Sequence, residues 1–220
     1  MNLILARHGN TFDLQESPYY IGSQTDLPLV AFGIKQATAI GFALQQQNCH
    51  LAAVYTGPLQ RMQRTAHHAL LAMNCSLSIQ IDQRLNELDY GLWSGLTSHE
   101  VRQRFGEDEY AAWELKSQWP KLGGWSESEQ ALKARILSFS QDLIANYQAD
   151  DTLLVIASNG CLRYFLTLVS GAFEAKIAQE QIKIGTGQIA YLQYYNHQWT
   201  LAAWNQNPAD FCFQPSQKKQ

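Results

Sequence analysis

The run Leu3-Ile4-Leu5-Ala6-Arg7-His8-Gly9-Asn10-Thr11 sets four apolar residues directly before an arginine, a histidine and a glycine. A short continuous apolar run that stops at a polar, glycine-containing turn is the pattern of a buried strand opening into a loop at its carboxyl end. Open α/β sheets bind ligands just outside such ends. Further on, Gly33 to Gln47 carries Ile34, Ala37, Ile40, Ala43 and Leu44 near helical spacing, and Ala52 to Thr56 reads as a second strand. Strand, helix, strand implies a parallel sheet.

The pattern repeats along the chain. Leu59 to Met73 reads as a helix, Leu77 to Ile81 as a strand, and Ser128 to Tyr147 as a longer helix after the turn-rich stretch Pro120 to Trp125. Thr152 to Ala157 is the strongest strand. Its core, Leu153-Leu154-Val155-Ile156, is continuous rather than alternating, as in a central parallel strand covered on both faces. It opens into Ser158-Asn159-Gly160 before a helix over Leu162 to Val169, and Gln188 to Tyr195 with Thr200 to Trp204 make an antiparallel hairpin turning at Asn196-His197. The stretch from Leu92 to Trp125 breaks the alternation and holds Trp93, Trp113, Trp119 and Trp125, which reads as a helical insertion capping the site. The predicted architecture is therefore α/β: a three-layer α/β/α sandwich with a mostly parallel central sheet. One domain spans 1–220, with the cap at about 92–125 and a frayed tail at 214–220.

Composition narrows the function. Sixteen Lys plus Arg against nineteen Asp plus Glu leave a charge of −3, so there is no general basic field for nucleic acid or an anionic membrane. No stretch approaches the roughly 20 apolar residues of a membrane span, and the start lacks a signal-peptide layout, which predicts a cytoplasmic protein. Cys49, Cys75, Cys161 and Cys212 are scattered without a C-x-x-C pair, against both a zinc site and a disulfide framework. His67-His68 would point roughly 100° apart on a helix with no carboxylate spacing to complete a metal site, and His99 falls in a helix-capping pattern.

The chemistry gathers at the strand ends. Gly57-Pro58-Leu59-Gln60-Arg61 follows the second strand, so Arg61 opens a helix at the edge that carries Arg7 and His8. Leu85-Asn86-Glu87-Leu88-Asp89-Tyr90-Gly91 follows the third and adds a carboxyl group. An imidazole nucleophile, paired arginines and one acid are the parts that phosphoryl transfer through a phosphohistidine needs, without a metal. Arg7 and Arg61 also disfavour imidazolium, which keeps His8 able to attack. Arg64, one turn past Arg61, reads as solvated.

Taken in order, these motifs resemble the histidine phosphatase superfamily, in its phosphoglycerate-mutase-like branch. The ordered set is Arg7-His8-Gly9; Thr25-Asp26-Leu27-Pro28-Leu29 with Gly33, Gln36 and Ala37; Gly57 to Arg61 with Thr65-Ala66; Leu85-Asn86-Glu87 with Tyr90-Gly91, Trp93 and Gly95; and Arg135 on the long helix. The resemblance implies a phosphoglycerate-mutase-like fold and a His8 that is transiently phosphorylated. It further implies Arg7 and Arg61 as phosphate clamps, Asn10 and Gly160 beside them, and Glu87 as general acid then base, with no cofactor. The family's second histidine lies in a Ser-His-Gly turn, which reads here Ser158-Asn159-Gly160. Asn159 in its place donates hydrogen bonds but brings no charge, and losing one such donor commonly costs on the order of 10² to 10³ in rate. Smaller departures are Trp125-Ser126-Glu127-Ser128, where Gly-Glu-Ser is frequent, and Gly57, usually a serine. The expected activity is hydrolysis of a small phosphomonoester, at reduced rate. A mutase is the alternative, against which the cap offers only Arg102, Arg104, Lys116 and Lys121 for a substrate carboxylate. A weak relative that only binds a phosphorylated ligand is the third reading.

Overall fold

A computed structural model describes residues 1–214. Strands β1 (Asn2–Arg7), β2 (Ala53–Thr56), β3 (Ile79–Ile81) and β4 (Thr152–Ala157) run parallel, and β5 (Ile189–Tyr195) and β6 (Gln198–Gln206) are antiparallel to their neighbours. The order across the sheet is β3-β2-β4-β1-β5-β6. β1 and β4 lie side by side in the middle, which is why both read as unbroken apolar runs.

Strand alternation divides the interior into two cores. Leu3, Leu5, Leu153 and Val155 face Leu132, Ile136 and Phe139 of α5 (Glu129–Asn146). Ile4, Ala6, Leu154 and Ile156 face Ile40 and Leu44 of α1 (Ala31–Gln46), and Met62 and Ala66 of α2 (Gln60–Ala72). This is the α/β/α sandwich with a mostly parallel sheet that the sequence predicts. α1 reaches the sheet edge through glycine: a Cβ on Gly9 would sit 2.2 Å from the Gly33 carbonyl oxygen, and one on Gly33 would sit 2.2 Å from that of Asn10. Backbone therefore meets backbone where the loop after β1 touches the helix.

The segment at 92–125 holds α3 (Ser98–Phe105) and α4 (Glu107–Lys116). α3 opens with the Thr97–Glu100 capping box that the sequence suggests around His99. Trp125 stands edge-on to Trp93, Trp113 and Trp119 at ring separations of 5.5, 4.6 and 5.1 Å, so the four tryptophans form one cluster.

Two stretches differ from expectation. The helix read over Leu162 to Val169 is instead one α turn, α6 (Asn159–Leu162), followed by a 3₁₀ helix, Arg163–Leu168. Arg163, Tyr164, Phe165 and Leu166 are all buried, so packing on every side sets the winding there rather than an amphipathic period. A helix not anticipated, α7 (Ala172–Ala178), follows Gly171, whose φ is 71°. Of the tail read as frayed, residues 215–220 lie outside those described.

Candidate active site

His8 leaves β1 at the sheet's carboxyl edge and is 3% exposed. Its Nδ1 is 2.8 Å from the Gly9 carbonyl oxygen. Because a carbonyl only accepts, Nδ1 holds the proton and the Nε2 lone pair is free. Burial, then the charges of Arg61 and Arg7, push the imidazolium well below the usual histidine range, so the ring is neutral near pH 7.

The two arginines are held differently. Arg7 lines the cavity and donates through Nη1 to the Ile184 carbonyl at 2.8 Å. Arg61 is fully buried at the start of α2 and is not among the cavity-lining residues. Its Nη1 donates to Thr25 O at 2.7 Å, and its Nη2 to Ile21 O and Gly22 O at 3.4 and 3.3 Å, pinning the loop before α1. The Nε atoms of both arginines are buried without a partner among the described residues. Arg64 is exposed, as its reading as solvated requires.

Glu87 is 6% exposed and lines the same cavity. Its Oε1 accepts from Leu88 N at 2.9 Å and Cys161 N at 3.2 Å, while Oε2 accepts from Gly160 N at 3.1 Å. Oε2 thus keeps capacity for one further proton or hydrogen bond. Gly160 is needed here, since a Cβ would lie 2.4 Å from Glu87 Oε1 and 2.8 Å from the Tyr90 hydroxyl. Arg135 braces this corner from α5, bound to Glu127 and reaching the Arg84 carbonyl and Cys161 Sγ.

Asn159 lines the cavity, but its Oδ1 accepts from Ile184 N at 2.9 Å. Asn10 is fastened likewise: its N donates to Gln36 Oε1 at 2.8 Å, and its Oδ1 accepts from the Thr186 hydroxyl. The loop at 184–187, which sequence reading passed over, is therefore what holds Arg7, Asn10 and Asn159 in place. Nothing in its residue types announces this; the signal is only that it leads into β5, which pairs with β1.

The cavity measures about 660 Å³, within the range of small-molecule sites. Its outer wall is formed by residues that the sequence did not single out, among them Tyr20, Glu114, Arg163 and Lys183, together with Trp113 of the expected cap. Tyr20 donates to Glu114 Oε1 at 2.5 Å, and Lys183 pairs with Oε2. Burial pushes the Glu114 carboxyl up, but Lys183, Tyr20 and Arg163 outweigh it and hold it below its usual range. Arg163 donates to Trp113 O at 3.1 Å and Ser117 Oγ at 3.0 Å, with its guanidinium 4.2 Å from the Trp113 ring centre. The cap cations Arg102, Arg104, Lys116 and Lys121 are not among the cavity-lining residues.

The chain is similar to known proteins over most of its length. The chain shares 31% identity over 186 residues with a 2,3-bisphosphoglycerate-dependent phosphoglycerate mutase of Methylobacterium radiotolerans, covering 83% of this chain and 85% of the relative. With the enzyme of the same name from Rhizobium meliloti it shares 32% over 182 residues, 82% of each. The α-ribazole phosphatase of Shigella flexneri superposes with a TM-score of 0.72 at 25% identity over 94% of this chain and 97% of that one. In fold, a mycobacterial glucosyl-3-phosphoglycerate phosphatase matches at a TM-score of 0.77 and 24% identity, over 93% and 98% of the two chains. The model of the histidine phosphatase superfamily (branch 1) matches residues 3–207, and the chain belongs to that superfamily.

Proposed function

We propose that the protein is a phosphohydrolase of small phosphomonoesters, working through a phosphohistidine at His8. The observation that carries this reading is the tautomer: Nδ1 is tied to Gly9 O, which leaves a neutral imidazole with Nε2 free in a cavity-lining residue. Nε2 attacks phosphorus as the ester P–O bond breaks, and Glu87 Oε2 hands a proton to the leaving alkoxide. Water then attacks phosphorus, the P–N bond breaks, Glu87 recovers a proton from that water, and orthophosphate leaves. Arg7 at the cavity wall and the buried Arg61 supply the positive charge that the equatorial oxygens need, in place of a metal. Asn10, Asn159 and the Gly160 turn shape the phosphate end.

Hydrolysis is favoured over mutase chemistry by the outer wall. A second acidic group on the substrate needs an accessible cation, and here Lys183 is paired with Glu114 while Arg163 is 1% exposed. An aromatic rim around a neutralised pair suits an uncharged organic group. The test is quenching, in alkaline detergent, of the protein mixed with radiolabelled phosphomonoesters. Label that is acid-labile, stable to base and absent from His8→Gln supports the reading, whereas ligand binding without label would make the protein a phospholigand binder.

A further inference from the structure

β1 and β4 pair in register from Asn2–Thr152 to Arg7–Ala157, and His8 N donates to Ala157 O at 3.2 Å, which carries the ladder one step further. The neighbour of His8 across that step is Ser158, one strand spacing away at about 4.8 Å. Ser158 still has extended backbone, φ −98° and ψ 164°, so strand alternation reaches it. Ile4, Ala6, Leu154 and Ile156 share the core under α1 and α2, and His8 and Ser158 continue that same alternating set. Asn159 belongs to the other set and is already the first residue of α6.

The side chains are also committed differently. Ser158 is 2% exposed, and its Oγ is buried with no hydrogen-bond partner among the described residues. Arg61 Nε, on the same side of the sheet, is in the same state. A buried hydroxyl left unpaired costs stability, and a phosphoryl oxygen arriving on His8 would offset that cost. The Asn159 oxygen, by contrast, is engaged by Ile184 N.

We propose that Ser158, rather than Asn159, is the further catalytic residue of this site, its hydroxyl donating a hydrogen bond to a phosphoryl oxygen while that group is carried on His8. This rests on the phosphohistidine reading above. It also gives Asn159 a different task, holding the loop that fixes Arg7. A neutral hydroxyl supplies a dipole where a cation would supply a charge, which makes the site slower but still competent.

The experiment compares wild type, Ser158→Ala and Asn159→His with p-nitrophenyl phosphate, measuring kcat, KM, acid-labile labelling and melting temperature. Ser158→Ala is expected to lower kcat on the order of 10²-fold with little change in KM, as for loss of a donor engaged in the transition state. Its melting temperature stays level or rises, because an unpaired buried group has been removed. A structural role would instead lower stability and rate together, and that result overturns the proposal. So does Ser158→Ala turning over at the wild-type rate while wild type labels at His8, or a gain of tenfold or more in Asn159→His, which puts the missing donor at 159. Absence of label in wild type would defeat the phosphohistidine reading itself.

Discussion

His8 is neutral because it is buried between guanidinium groups, and this fixes two signs. Its folded-state affinity for a proton is depressed while the unfolded chain titrates near 6.5, so below that pH the unfolded state binds the extra proton. The contribution to stability is complete above 6.5 and is lost as pH falls toward the depressed value. The pH–rate profile should accordingly show no loss assignable to the nucleophile as pH drops through 6.5, and His8→Gln should flatten the slope of melting temperature against pH just below 6.5. His8→Ala should abolish turnover with the circular dichroism spectrum retained, since the residue sits in a loop beyond the strand. For Arg61→Ala, vanadate titration should show affinity weakened by about 1.5–3 kcal/mol, and the melting temperature should fall too, because three carbonyls lose their donor. Equal vanadate affinity would remove Arg61 from the phosphate site. Much of this site was legible in the chain, since Arg7, His8, Arg61 and Glu87 all follow predicted strands. Asn159 was legible as a polar residue at the right strand end but not as one whose oxygen is already engaged. Hydrogen bonds from a loop 25 residues away leave no local periodicity or spacing to read.

At the scale of elements, glycine contacts and the outer wall make separate predictions. Gly33→Ala places a methyl group against the Asn10 carbonyl, and overpacking of this kind costs about 1–3 kcal/mol. For a chain of this length that is a fall in melting temperature of roughly 2 to 12 °C. An unchanged melting curve would mean that the nucleophile loop tolerates displacement from α1. On the opposite wall, Glu114→Gln releases Lys183 from its pair and should lower KM for 3-phosphoglycerate roughly two- to fivefold relative to a neutral phosphomonoester, the range of a partly exposed ion pair. A ratio of the two KM values unchanged by the substitution would place Lys183 outside substrate reach. α1, α2 and α5 were readable because each presents one apolar stripe to a core. The 3₁₀ segment at Arg163–Leu168 was not, because its first four residues are all buried and carry no period, and α7 was missed for want of a long one.

Across the whole molecule, sheet order follows from sequence only in part. Apolar continuity identified β4 as central and β1 as buried, yet nothing local says that they are each other's neighbours, 150 residues apart in pairing. That adjacency also sets when the site comes into being. β1 is made first, but its two partners, β4 and β5, are Thr152–Ala157 and Ile189–Tyr195, so the strand that leads into His8 has no neighbour until most of the chain exists. At roughly 5–20 residues per second of synthesis, that is an interval of roughly eight to thirty seconds in which Leu3-Ile4-Leu5-Ala6 is an unpaired apolar segment. The window is open to capture by a chaperone or to misassociation, and closing it requires the long-range pairing that makes such sheets slow to fold. In refolding from denaturant, vanadate binding should therefore return with the last phase of strand docking and not with the earlier gain of helix.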